Sequence, residues 1–267
     1  MVPRAGVEWV EGSLEDSAAL DRLCDGADAV IHVAGVINAR DDAGFEAGNV
    51  AGSAAILAAA KAAGVARFVH VSSLAAREPE LSKYGASKAR AEVLVKTAGM
   101  PFAIVRPPAV YGPGDRETLE LFKMAKRGLV ALPPAGRLSL LHADDLAQLL
   151  IELATRDASS SRTFEPDDGH PSGYSHRDFA DLLGRAVNRR ALAVPVPKGF
   201  LRTAAALDGL IRRDSAKLTP DRVAYFCHPD WVSDPAKAVA PEVWRPKIDT
   251  AEGLAATAAW YRAEGWL

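Results

Sequence analysis

The chain has 267 residues, 49% of them hydrophobic, which is enough apolar material for one large globular domain or a domain with a small appendage. Its net charge is −2 and its basic residues are scattered, so composition offers no footprint for nucleic acid or an anionic membrane surface; the densest basic cluster, Lys123, Lys126 and Arg127, reads as a solvated helix face. The two cysteines, Cys24 and Cys227, lack metal-ligand spacing, and no signal peptide or membrane-spanning apolar run is visible, so a cytoplasmic protein without a metal site is expected.

Residues 7–10 alternate and predict a strand, and Gly12 to Asp16 turn into a helix through about Cys24, with Ser13 as its N-cap. Residues 27–33 form a nearly continuous apolar run, the pattern of a parallel strand covered on both faces, ending in His32-Val33-Ala34-Gly35. Small residues at that end let a ligand approach the backbone. Asn49-Val50-Ala51-Gly52-Ser53 opens an Ala-rich helix to about Ala63, with Gly64 as its stop.

The run from Arg67 to Val71 predicts a buried strand ending in Ser72-Ser73, and a helix carrying Tyr84 and Lys88 follows to about Gly99. Residues four apart share a helix face, so the Tyr84 phenol and the Lys88 ammonium can stand beside one bound molecule. An ammonium near a phenol favours phenolate and brings a pKa of about 10 towards neutrality, where general acid/base chemistry works. Ser73 can then hold the substrate oxygen.

Residues 101–105 predict another buried strand, closed by the proline-rich loop from Arg106 to Asp115. A short strand over 138–141 leads through His142-Ala143-Asp144-Asp145 into a helix over about 146–154, and 162–164 returns as a last strand. Strands alternating with helices at this spacing predict an α/β fold with a doubly wound parallel sheet. From residue 166 helices and loops take over. Ser175 with Asp178 fits a capping box for a helix to about Val187, a second helix covers about 200–213, Thr219-Pro220 is an N-cap and N1 pair, and 250–263 carries Trp260 and Tyr261. The expected division is residues 1–165 and a smaller, mostly helical part over 166–267, with a cleft between them.

Seven short motifs fall in one order: Gly12-Ser13-Leu14, His32-Val33-Ala34-Gly35, Asn49-Val50-Ala51-Gly52-Ser53, Ser72-Ser73, Tyr84 with Lys88, Arg106-Pro107 running to Val110-Tyr111-Gly112-Pro113, and His142 with Asp145. In this order the chain resembles the extended short-chain dehydrogenase/reductase superfamily, the NAD-dependent epimerase/dehydratase and 3β-hydroxysteroid-dehydrogenase-like proteins. The resemblance implies a Rossmann-like NAD(P)-binding domain over 1–165 and a substrate-binding part over 166–267. It implies NAD or NADP as cofactor, Tyr84 as acid/base, Lys88 as the group that tunes it and binds the nicotinamide ribose, and Ser73 as the orienter of the substrate oxygen. Leu14 would lie near adenine, Ala34 and Gly35 along the cofactor, and Pro107 and Val110 against the nicotinamide. Asn49 and Ser72 join the cofactor-binding set. A homodimer through the helices beginning near Asn49 and Tyr84 is implied as well.

Two departures qualify the pattern. Ser13 stands where the family often has an aspartate that accepts from the adenine amine. No Gly-x-x-Gly-x-x-Gly turn occurs anywhere in the sequence, and the strand and helix that flank it in the family are not found ahead of residue 7. The expectation is therefore that Met1 is an internal start or a truncation, that a first β-α-β is missing, and that this chain binds dinucleotide weakly. The strand at 7–10 either faces a gap in the sheet or slides over to pair with the strand at 27–33.

The expected activity is an NAD(P)-dependent oxidoreductase acting on an alcohol or carbonyl compound of small to medium size. A nucleotide-sugar epimerase is the alternative within the family, and a non-catalytic binding or assembly protein is the alternative outside it. His70 reads as a core histidine with a satisfied ring. His142 is open between the cleft and a helix cap, and Tyr111 and Arg116 between substrate contact and packing. Trp231, Trp244, Trp260 and Trp266 read as core or interface.

Overall fold

A computed structural model describes residues 5–39, 41–156, 161–212 and 218–267. Helix α1 (Ser17–Cys24) leads into strand β1 (Ala29–His32), followed by α2 (Asp42–Phe45), a π-helical turn over Glu46–Ala51, α3 (Gly52–Ala62) and β2 (Arg67–Val71). A 3-10 turn over Leu74–Arg77 precedes α4 (Lys83–Thr97), β3 (Phe102–Val105) and β4 (Ala109–Tyr111). Next come α5 (Leu119–Lys126), β5 (Leu129–Leu132), β6 (Arg137–Leu138), β7 (Leu140–His142), α6 (Ala143–Thr155) and β8 (Arg162–Phe164). The rest is β9 (Tyr174–Ser175), α7 (His176–Ala186), β10 (Leu192–Pro195), α8 (Lys198–Arg212), α9 (Pro220–Phe226), β11 (Asp230–Trp231) and α10 (Thr250–Ala263).

The main sheet is parallel throughout, in the order β1-β2-β3-β8. Both of its faces are covered, so β2 is buried at every residue, the polar Arg67 and His70 included. Successive side chains alternate: Phe68 and Ile104 meet Leu20, Ile56, Leu57 and Val95 from α1, α3 and α4, whereas Val69, Val71, Ala103 and Val105 meet Leu149, Leu150 and Leu153 from α6. The doubly wound α/β fold is thus the observed one.

Three local expectations are corrected. Residues 7–10 form no ladder, and Val7 and Trp9 stand 45% and 56% exposed, so among the described residues β1 is the sheet edge and no strand has slid over to close it. Alternating hydrophobicity supplies a strand's side-chain pattern, but a ladder also needs a partner in register. Helix α1 is capped by Asp16, whose carboxylate accepts from the Ala19 N–H at 3.0 Å, rather than by Ser13. The helical stretch around Asn49 begins seven residues earlier, where Asp41 caps α2 by accepting from Gly44 N–H at 3.0 Å, so Asn49 lies inside a helix and does not open one.

Pieces from both sides of residue 165 build the second layer. Strand β5 pairs with β10, β6 with β11 and β9, and β4 with β7. Their shared core joins Tyr111, Phe122 and Leu140 to Phe179, Leu183, Leu254 and Tyr261, with Trp260 and Trp266 packed on it. The capping box of α7 forms as expected, with Ser175 and Asp178 each accepting from the other's backbone N–H. Helix α5, apart from its basic cluster, and the short strands β5, β9, β10 and β11 are elements that periodicity did not reveal.

A buried ion network ties these layers together. Arg106 forks onto both oxygens of Glu92 at 2.7 Å each and reaches Glu165 Oε1 at 3.2 Å, while Glu165 also takes Arg77 at 3.2 Å and Lys237 at 3.2 Å. Burial by itself would raise the Glu92 carboxyl, but Arg106, Ser72 and Lys96 outweigh it and hold the group below its ordinary value of 4.5. Arg106→Met removes the fork and leaves a buried carboxylate, at an expected cost of about 3–5 kcal/mol in urea unfolding. Because the folded-state pKa is depressed, this contribution is complete above 4.5 and fades as pH falls through the folded value; urea midpoints measured below pH 4.5 are expected to fall less steeply in the variant.

Candidate active site

The site grows from the end of β2. Ser72 N–H donates to Val105 O at 2.7 Å and continues the strand geometry, while its hydroxyl donates to Glu92 at 2.7 Å. With Ser72 turned inward, the next extended residue, Ser73 (φ −161°, ψ 154°), projects from the opposite face. There it caps the 3-10 turn, accepting from Ala75 N–H at 3.2 Å, and Leu74 N–H donates to Pro107 O at 3.2 Å.

Helix α4 is brought against that turn by two devices. Ser82 caps it through Gly85 N–H at 2.9 Å, and Asp221 of α9 accepts from Lys83 N–H at 2.6 Å. A Cβ on Gly85 would stand 2.6 Å from the Ala75 carbonyl oxygen, so only glycine permits this approach. The outcome is that Ser73 stands beside the Tyr84 phenol, close enough to pull its pKa downward. Phe45 and Tyr225 pack on the Tyr84 ring, each with centroids 6.3 Å away.

Lys88 is buried one turn along α4, and its ammonium donates to Val71 O at 3.0 Å, two residues before Ser73. Asn49, held in the π-helical turn, donates to Val36 O at 2.9 Å and Ser87 Oγ at 2.8 Å and accepts from Val36 N–H at 2.7 Å. It thereby pins the loop after β1 to α4. A Cβ on Gly35 would lie 2.8 Å from Asn49 Oδ1 and 3.0 Å from Lys88 Nζ, so the loop passes directly over the lysine.

The electrostatics differ from the expectation in one respect. Burial raises the Tyr84 phenol above its ordinary value, with Ser73 opposing, and the ammonium does not bring it down. Lys88 itself feels the burial and falls to about 8, against the pull of Glu92. Beneath it His32 and His70 stack at 5.5 Å, both lowered by burial and then by Lys88, His32 to about 4. His32 Nε2 meets Ser53 Oγ at 3.0 Å, but neither ring nitrogen of His70 has a hydrogen-bond partner among the described residues. His70 is a core histidine, as expected, though not a satisfied one.

The remaining expected site residues divide. Ala34 and Gly35 are exposed at the carboxyl end of β1, while Leu14 packs against α3, where its Cδ1 would touch a Cβ on Gly52 at 2.6 Å. Pro107 is buried beside the serine turn, and Val110 sits in β4 opposite Leu141. Ser72 belongs to the ion network rather than to the open face. His142 caps α6 through Asp144 N–H at 3.2 Å and packs edge-on against buried Tyr111, Asp145 accepts from the Lys247 and Ile248 backbones, and Arg116 lies over Trp266 at 4.5 Å. These four residues are structural. Glu92, four residues after Lys88, had a helical-spacing signal; Phe45, Asp221 and Tyr225 had none, since each arrives from a distant segment.

A parallel doubly wound sheet with Ser73, Tyr84 and Lys88 gathered at its carboxyl edge defines a short-chain dehydrogenase/reductase. The NAD(P)H-binding family matches residues 1–157, and the chain belongs to it, with NAD or NADP as its cofactor. It is 40% identical to the ceramide reductase of Caulobacter vibrioides over 98% of this chain and 82% of that protein. It is 25% identical to a UDP-glucose 4-epimerase of Vibrio cholerae over 72% of this chain and 67% of that one. In fold it resembles the Bordetella bronchiseptica enzyme WbmG in complex with NAD and UDP, at TM-score 0.73 and 21% identity over 99% and 83% of the two chains. It is an NAD(P)-dependent enzyme of the kind that includes reductases and epimerases.

The donors gathered here, the Lys88 ammonium with the Ser73 and Tyr84 hydroxyls, are of the kind that would suit the nicotinamide-ribose end of such a cofactor. The sequence has no glycine-rich turn for the pyrophosphate. Gly85→Ala is expected to force α4 off the Ala75 carbonyl and to cost about 1–3 kcal/mol in thermal or urea unfolding; unchanged stability would mean that the two backbones are not in contact.

Proposed function

We propose that the chain is an oxidoreductase that reduces a ketone carried on a long-chain lipid of the ceramide type, with Tyr84 as the proton donor. The placement of Ser73 beside the Tyr84 phenol, with Lys88 one helical turn along, carries the chemical part of this reading. The substrate class is supported by the 40% identity to a ceramide reductase and by the character of the wall beside Tyr84. Tyr225 packs on Tyr84 from α9, and Trp231 lies tilted against Tyr225 at 4.7 Å and His228 at 4.6 Å. Arg77 and Arg222, which lie over Trp231 and Phe226, are paired with Glu165 and Glu117, so this wall favours apolar chains over a nucleoside diphosphate.

A bound nicotinamide supplies the hydride. Ser73 donates a hydrogen bond to the substrate carbonyl oxygen, and Tyr84 gives that oxygen its proton as the alkoxide develops. A phenol held above its ordinary pKa stays protonated through the physiological range, which suits donation in the reducing direction. Lys88 would hold the nicotinamide ribose through its ammonium.

Tyr84→Phe is expected to lower kcat by roughly 10²–10⁴-fold on an N-acyl long-chain amino ketone while leaving NADH or NADPH binding unchanged. Turnover of UDP-glucose epimerisation with no ketone reduction would favour the nucleotide-sugar reading. Absence of any turnover at saturating cofactor would favour a binding role. The rate of ketone reduction is expected to hold level up to, and decline through, a pH of about 8 as Lys88 loses its proton, and the limb should vanish in Lys88→Met.

A further inference from the structure

Helix α8 presents apolar residues to both of its sides. Leu201, Ala204, Ala205 and Asp208 are at least partly covered, whereas Phe200, Leu207, Leu210 and Ile211 are 69%, 54%, 76% and 78% exposed. At helical spacing these four exposed residues fall on one stripe, together with Thr203. Scattered surface leucines need no explanation, but a contiguous stripe marks a contact surface.

We propose that this stripe docks α8 on the surface of a lipid bilayer containing anionic headgroups. Charge selects this occupant: residues 198–222 hold six basic and three acidic side chains in a chain of net charge −2, with Lys198 ahead of the stripe and Arg212-Arg213 directly after it in sequence. Length agrees, since α8 has 15 residues and an apolar stripe on one side, which suits shallow insertion; no helix among the described residues is long and apolar enough to cross a membrane. Position gives the docking a use. Helix α8 packs on α9, which carries Tyr225 against the Tyr84 ring and Asp221 against the start of α4. A docked α8 therefore holds the candidate site at the bilayer, where a long-chain substrate resides. In that last step the proposal rests on the lipid-ketone reading; the docking itself does not. It departs from the sequence-based expectation of no membrane partner, because whole-chain charge dilutes the basic residues of this segment.

The test is sedimentation of this chain with phosphatidylcholine vesicles, with and without phosphatidylglycerol. The protein is expected to pellet with the anionic vesicles and to be released by salt. Leu207→Ser/Leu210→Ser/Ile211→Ser, with unchanged circular dichroism, should weaken partitioning by more than about tenfold. Lys198→Glu/Arg202→Glu should remove most of the preference for anionic vesicles. The proposal is overturned if the protein stays in the supernatant with both vesicle types or if the triple variant pellets like the wild type. It is overturned too by a dimer that the triple variant dissolves without any vesicle binding, which would assign the stripe to a second copy. Vesicle binding without reduction of the lipid ketone would sink the substrate reading and leave the docking intact.

Discussion

The fork of Arg106 onto Glu92 is the constraint on which the arrangement of this protein depends. It sits between α4 and the end of β3, and its neighbours reach Ser72 on one side and Glu165 on the other. A buried pair of this kind contributes little net stability relative to an apolar replacement, because desolvating both ions offsets their attraction. What it supplies is direction. By holding the Ser72 hydroxyl inward it leaves Ser73 on the outer face, and through Arg77 and Glu165 it fastens the serine turn to the carbonyls of Asp230 and Val232.

Close backbone approach does the rest. Gly85 lets α4 settle on the Ala75 carbonyl, and Gly35 lets the loop after β1 cross over Lys88. The π-helical turn around Asn49 places one side-chain amide where it can hold that loop by both its donor and its acceptor. Unusual helical turns of this kind often occur at functional positions, since they free a side chain to face inward without ending the helix. Beneath the lysine, burial and the nearby ammonium keep two stacked histidines neutral.

The second layer completes the site from a distance. Helix α9 closes over Tyr84 with an aromatic wall, and α8 rides on α9 with an apolar stripe facing out. Chemistry at the sheet edge and contact at the surface are therefore linked through two short helices, and the character of both surfaces is apolar. This is coherent with a relative that carries the name of a lipid reductase, and the same sheet in solved structures accompanies quite different ligands.

Much of this was legible in the sequence. A strand covered on both faces is mostly apolar, so β2 and β3 could be located to within a residue even though Arg67 and His70 interrupt β2, and the capping box of α7 is a local pattern read in four residues. The gathering of Ser73, Tyr84 and Lys88 followed from a strand end and a helical spacing. Only tertiary structure decided the rest: residues 7–10 have a strand's alternation but no partner, Ser72 is taken by a carboxylate twenty residues away, and the Lys88 ammonium goes to a carbonyl instead of the phenol. Local patterns fix which way a side chain points within its own element. Which group it meets there depends on segments brought close only when the layers pack, and no spacing along the chain encodes that distance.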